Sequence, residues 1–96
     1  MTRYTLTPRA QADLDEIWDY SFSQWGLDRA ERYVLEIKAA IEHTAKNPRR
    51  GRSCDTLREG YRKRPVGSHV LFYRWLPEGV NVVRILHQRM DFEQHL

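Results

Sequence analysis

The hydrophobic pattern changes period once, at Asn47-Pro48, and this constrains the fold more than any other feature of the chain. Before that point apolar residues recur three and four positions apart, as on one face of a helix. After it they come in short runs cut by glycine and proline, as in strands joined by turns. Ala10, Leu14, Ile17, Ser21 and Trp25 make one helical stripe, and Ala30, Val34, Ile37, Ile41 and Ala45 make a second. Thr7-Pro8 has the chemistry of an N-cap followed by a first helical residue. Gly26 suits the residue that ends a helix, and Asp28 the N-cap of the next. A link of about three residues then forces the two helices into an antiparallel hairpin. Asp13, Asp15, Glu16 and Asp19 fall mostly off the first stripe, and their charge favours the N-terminal half of that helix through its dipole.

Ahead of the helices, Tyr4-Thr5-Leu6 is short and β-prone; beyond them, residues 47–60 read as a polar, basic loop. Three strand runs follow, 61–66, 69–76 and 80–87, separated by Gly67-Ser68 and Pro77-Glu78-Gly79. The fold expected is α+β: a short N-terminal strand and a two-helix hairpin packed on a mostly antiparallel sheet of three to four strands, in one domain spanning 1–96. If Pro77-Glu78-Gly79 is a three-residue loop, Leu76 faces Val80, Tyr73 faces Val83, Leu71 faces Ile85 and His69 faces His87. One sheet face then carries Leu71, Tyr73, Trp75, Val83 and Ile85, and the other Val70, Phe72, Arg74, Val82, Arg84 and Leu86. Only one face can meet the helices, so the other is expected to be an apolar, arginine-bearing binding face.

Net charge is +3, unevenly distributed. Residues 1–48 hold six basic and eight acidic side chains; residues 49–96 hold ten and five. Arg49, Arg50, Arg52, Arg58, Arg62, Lys63 and Arg64 crowd one stretch, against Asp55 and Glu59. Such a face suits an acidic partner, whether protein or nucleic acid. The single cysteine, Cys54, excludes an internal disulfide framework and fits a reducing cytoplasm. No apolar run has the length of a membrane span, and none at the N-terminus resembles a signal peptide, so a cytoplasmic location is expected.

Motifs for catalysis are sparse. His87, Arg89 and Asp91 sit close in sequence, but their spacing matches no fixed motif, and they are read as a strand end and tail anchor. His87, Asp91 and His95 are four apart, yet His87 belongs to a strand, so neither a metal site nor a cofactor is expected. Cys54 has no defined base to activate it, and there is no phosphate-binding glycine loop or nucleophile signature. Trp18, Trp25 and Tyr33 are expected to pack within the hairpin, whereas Tyr20 and Phe22 lie off the stripe and suit partner contacts.

Seven segments, taken together, carry a resemblance. They are YTLTPRA at 4–10, IWDY at 17–20, WGLDRA at 25–30, NPRRGR at 47–52, GYRKR at 60–64, HVLFYR at 69–74 and RILHQRMD at 84–91. In this order the chain resembles the RelE/ParE toxin superfamily, and within it the ParE branch. The resemblance implies the toxin of a type II toxin–antitoxin pair, of the kind that stabilises plasmids or chromosomes. It implies a protein that binds DNA gyrase and blocks replication, without being an enzyme. The implied partner is a ParD-like antitoxin whose amphipathic C-terminal segment wraps the toxin in a hetero-oligomer. Nucleic acid would be reached only indirectly, through the antitoxin.

The alternative the resemblance offers is a RelE-type, ribosome-dependent mRNA endonuclease, for which Arg62, Arg64, Arg84 and His87 would be the catalytic set. Arg84 matches a basic position that RelE-like enzymes use on the last long strand. These enzymes also need a tyrosine near the C-terminus, whereas the last tyrosine here is Tyr73 and the tail holds Met90 and Phe92. Many relatives carry an arginine where Met90 stands. The missing tyrosine favours the gyrase branch, for which Arg62, Lys63, Arg64, Phe72, Arg74, Arg84 and Arg89 are the candidate contacts to target or antitoxin.

Overall fold

The computed structural model describes residues 3–96, so the first two positions of the 1–96 domain lie outside it. In order the elements are β1 (Tyr4–Leu6), α1 (Pro8–Trp25), α2 (Leu27–Lys46), a 3₁₀ turn (Pro48–Arg50), β2 (Arg52–Ser53), β3 (Tyr61–Val66), β4 (His69–Leu76), β5 (Gly79–His87) and a single-turn α3 (Phe92–His95). The strands form one sheet in the order β1-β5-β4-β3-β2. It has five strands where three to four were expected. The N-terminal segment adds a parallel edge beside β5, and Arg52–Ser53 adds a two-residue antiparallel edge beside β3.

Thr7 caps α1 as its chemistry predicts. Its Oγ1 accepts from Ala10 N at 3.0 Å and donates to Val83 O at 2.8 Å, so one hydroxyl starts the helix and fastens it to β5. Gly26 does more than expected. At φ +86°, a left-handed conformation that disfavours other residues, it closes α1 through Phe22 O and opens α2 at once. One residue replaces the expected three-residue link, and Asp28 sits inside the first turn of α2 instead of capping it. There its carboxylate still meets the positive end of the helix dipole.

The last hairpin follows the expected pairing at one end only. Leu71 faces Ile85 and His69 faces His87, but Leu76 faces Gly79, Trp75 faces Val80 and Tyr73 faces Val82. The turn is two residues long, and a bulge at Val83 absorbs the extra residue. As a result Val82 and Val80 join the helix-side core of Ala10, Leu14, Ile17, Ile37, Ile41, Leu71, Tyr73 and Ile85, while Val83 turns to the opposite face. Gly79 allows β1 to pair. Val80 N donates to Arg3 O at 3.1 Å, and a Cβ on Gly79 would lie 2.5 Å from that oxygen. With Gly79 at φ +143° as well, Gly79→Ala is expected to lower stability by about 1–3 kcal/mol and to free β1, which chemical denaturation and amide exchange at Tyr4–Leu6 would read.

The outer sheet face is not the open apolar surface expected from the strand pattern. Phe72, Leu86, Val70 and Cys54 are buried there beneath Leu57, Phe92 and Leu96. The Phe92 ring meets Phe72 edge-on with centroids 4.9 Å apart. The sheet face is therefore covered from both sides of β4, by the loop after β2 and by the C-terminal tail. Asp91 accepts from Glu93 N and starts the tail's single turn.

Candidate functional site

The candidate residues separate into those used by the fold and those left to a partner. Arg84 belongs to the first group. Its Nε and Nη2 grip both oxygens of Asp13 at 2.7 and 2.8 Å, and Nη1 donates to His95 O at 3.0 Å. Asp13 Oδ2 also accepts from Ile85 N at 2.9 Å, beyond the reach of β1, so a helix carboxylate caps an otherwise open strand edge. The pair is nearly buried, and the hydrogen bonds to Asp13 push the Arg84 pKa further up. Asp13, grouped by sequence with acids mostly off the core stripe, lies three positions after Ala10 and four before Ile17, on the flank of the stripe. An acid there paired with a lone arginine in an apolar strand is the signal that could have found it.

Arg62 and Arg64 are also engaged. Arg62 Nη1 donates to Gly51 O at 2.9 Å and holds the loop onto β3. Arg64 Nη1 reaches His43 Nδ1 at 2.7 Å and Thr44 Oγ1 at 3.1 Å, which ties β3 to the end of α2. Phe72 is fully buried. Lys63 is half-buried opposite Phe72, and Arg74 and Arg89 are exposed. The four residues of an endonuclease set are thus not gathered. Arg62 and Arg64 lie on β3, His87 and Arg84 on β5, and β4 runs between them, which separates the two pairs by about 10 Å of sheet.

His87 does have company. A groove of about 590 Å³ runs between the helix hairpin and the end of β5, lined among others by Tyr20, Trp25, Tyr33, His69, His87 and Met90. Ser68 N donates to the Tyr33 oxygen at 3.1 Å, which leaves the Tyr33 hydroxyl proton for His69 Nδ1 at 2.6 Å. The His87 ring stands edge-on to His69 at 5.3 Å, and His87 Nδ1 accepts from Arg89 N. Burial, with His87 adding to it, lowers the His69 pKa, and burial raises that of Tyr33. Protonating His69 would remove the acceptor that Tyr33 uses. Since the folded pKa lies below the unfolded value near 6.5, the His69 contribution to stability is complete above about pH 6.5 and is lost as pH falls below it. Melting curves from pH 7.5 to 5 should therefore fall more steeply for the native chain than for His69→Gln.

Tyr20, Phe22, Trp25, Leu27 and Met90 are all exposed, and Tyr20, Trp25 and Met90 border this groove. Tyr20 and Phe22, read from sequence as suited to partner contacts, are both exposed, with the Phe22 ring beside Trp18 at 6.2 Å. Trp25 packs within the hairpin as expected, edge-on against Tyr33 and under Arg29, although it stays half-exposed. No helix among the described residues is long and apolar enough to cross a membrane, and they contain no cluster of three or more metal-ligating side chains.

Residues 4–92 match the family described as the ParE toxin of the type II toxin–antitoxin system parDE. The chain belongs to the ParE toxin family. It is 55% identical over 96 residues to Toxin ParE1 of Mycobacterium tuberculosis, covering 99% of this chain and 98% of that one. It is 46% identical over 96 residues to Toxin ParE1 of Caulobacter vibrioides, covering 100% and 99%. Toxin ParE of Escherichia coli is 33% identical over 99 residues, covering 100% and 94%. A solved chain described as a chromosomal ParDE TA system from P. aeruginosa superposes with a TM-score of 0.78 at 21% identity, covering 91% of this chain and 96% of that chain, which shows a shared fold. This ParE-family toxin therefore carries the architecture expected from its seven sequence segments, while Arg62, Arg64 and Arg84 serve the fold.

Proposed function

We propose that this ParE-family toxin acts in the cytoplasm without chemistry of its own, by binding DNA gyrase and stopping replication, and that a ParD-like antitoxin holds it inactive. The observation that carries the reading is the scattering of the endonuclease set. Arg62, Arg64 and Arg84 are each hydrogen-bonded into the fold, and His87 stands across β4 from the first two. No tyrosine follows Tyr73, and Phe92 is turned against Phe72 with no hydroxyl to offer. Membership of the ParE family supports the same conclusion.

The antitoxin would lay an amphipathic helix against the exposed aromatic groups around Tyr20, Trp25 and Met90, as helices commonly dock in apolar grooves. An acidic segment would meet the basic half of the chain. Of the cations proposed from sequence, Lys63, Arg74 and Arg89 remain for target or antitoxin. Inducing the toxin alone and following DNA, RNA and protein synthesis side by side tests the target. DNA synthesis is expected to stop first, with gyrase supercoiling inhibited by the purified chain. If protein synthesis stops first and A-site codons are cleaved, the toxin is an endonuclease.

A further inference from the structure

Cations that the fold does not use gather on the outer face of the sheet. Side chains of directly opposed residues in neighbouring strands share a face. Lys63 pairs with Phe72, Arg52 pairs with Lys63, and Arg74 pairs with Tyr61. Phe72 and Tyr61 belong to the outer core, so Arg52, Lys63 and Arg74 all lie on the face away from the helices. Arg58 joins them, its guanidinium carbon 5.9 Å from the centroid of the Tyr61 ring. The loop that carries it is closed on itself. Cys54 N donates to Tyr61 O and Arg58 N to Cys54 O, both at 2.9 Å, and Gly60 N donates to Asp55 Oδ1 at 2.8 Å. Among the described residues none of the four cations has a carboxylate partner, and Arg52, Arg58 and Arg74 are exposed.

No large apolar side chain is open among these cations. Phe72 is fully buried, and Tyr61 is half-buried beside Arg58. A protein partner, whose interface needs an apolar centre, has nothing to anchor on there. A duplex backbone needs only positive, polar surface. We infer that this face binds duplex DNA directly, with phosphates on Arg52, Arg58, Lys63 and Arg74 and no reading of sequence. Arg52 and Arg74 stand two strand spacings apart, about 10 Å across the sheet, which spans about three phosphates of one strand at about 3.4 Å of axis each. The toxin would then touch DNA itself, in place of a contact made only through an antitoxin. The contact needs no gyrase, so it stands or falls apart from the proposed target.

Fluorescence anisotropy of a labelled DNA duplex with the full-length chain, without gyrase and over a salt series, tests the inference. Two duplexes of unrelated sequence should bind equally, as phosphate contacts carry no sequence information. The combined Arg52→Ala, Arg58→Ala, Arg74→Ala variant is expected to flatten the slope of log affinity against log salt by about 2.7, for three lost phosphate contacts. That slope corresponds to a loss of affinity of about a hundredfold or more between about 1 M and about 0.1 M salt. Arg32→Ala with Lys38→Ala, both exposed on α2, should change neither slope nor affinity, and melting curves would verify that every variant is folded. Absence of duplex binding at low salt overturns the inference, and so does an unaltered slope in the outer-face variant or an equal loss in the α2 variant. Tighter binding to single-stranded oligothymidylate than to the duplex also overturns it, as does tighter binding to polyglutamate, which would identify an acidic-peptide surface.

Discussion

Asp13→Ala is expected to destabilise the chain by about 3–5 kcal/mol, the usual consequence of removing one partner from a buried ion pair. The loss has two sources. Arg84 would keep its charge in a nearly buried position with only His95 O to bind, and Ile85 N would lose its acceptor on an edge that β1 does not reach. A domain of this size has about 5–14 kcal/mol in total, so the variant should be close to unfolding at growth temperature. Urea titration and thermal melting would measure it, with a fall in Tm of about 12–40 °C at 4–8 °C per kcal/mol. Asp13→Asn keeps one oxygen for Ile85 N and should lie between the two. A loss below about 1 kcal/mol for Asp13→Ala would show that the pair is solvated and dispensable. The result bears on function. Arg84→Ala breaks the same pair from the other side, so loss of toxicity in that variant would report on the fold and could not identify a catalytic arginine. Arg89 and Arg74, exposed and outside this network, are better probes of target contact.

How much of this was visible in the sequence follows from the range of each interaction. The helix stripes, the Thr7 cap and the break at Gly26 rest on residues within a turn of one another, and they appear where expected. The His69–His87 and Leu71–Ile85 pairs match the expected register because the extra residue at Val83 offsets a turn one residue shorter than expected. The bulge itself was not legible. Its Val83 carbonyl accepts from the Thr7 hydroxyl, seventy-six positions away, a partner no local pattern reveals. Charge was the least legible property. Arg62, Arg64 and Arg84 read as surface cations because nothing local contradicts it, yet their partners are Gly51 O, Thr44 and Asp13 on other elements. The cover over the outer face was equally hidden. Phe92 and Leu96 lie in a segment with no period, and only the three-dimensional return of the tail to β4 makes them core.

That return makes Phe72→Ala the second large effect. Phe72 was expected to be a contact residue on an open face, but it has no exposed surface and supports Phe92. Truncating a fully buried phenylalanine costs about 3–5 kcal/mol, part of it from the cavity left behind. Here the cavity opens directly beneath the tail, so the loss should come with undocking of Phe92–Leu96, seen as faster amide exchange and readier proteolysis there. Phe92→Ala removes a ring that is only partly buried and should cost about half as much while producing the same exchange pattern. If Phe72→Ala lowers stability without loosening the tail, Phe92 is held by other contacts and the two rings are not the hinge of this face. If both variants loosen it, antitoxin affinity separates two roles for the tail. Affinity retained in Phe92→Ala would mean that the tail serves only to cover β4. Affinity lost in the still-folded Phe92→Ala would mean that the docked tail, with Met90 at its base, is part of the surface the antitoxin recognises.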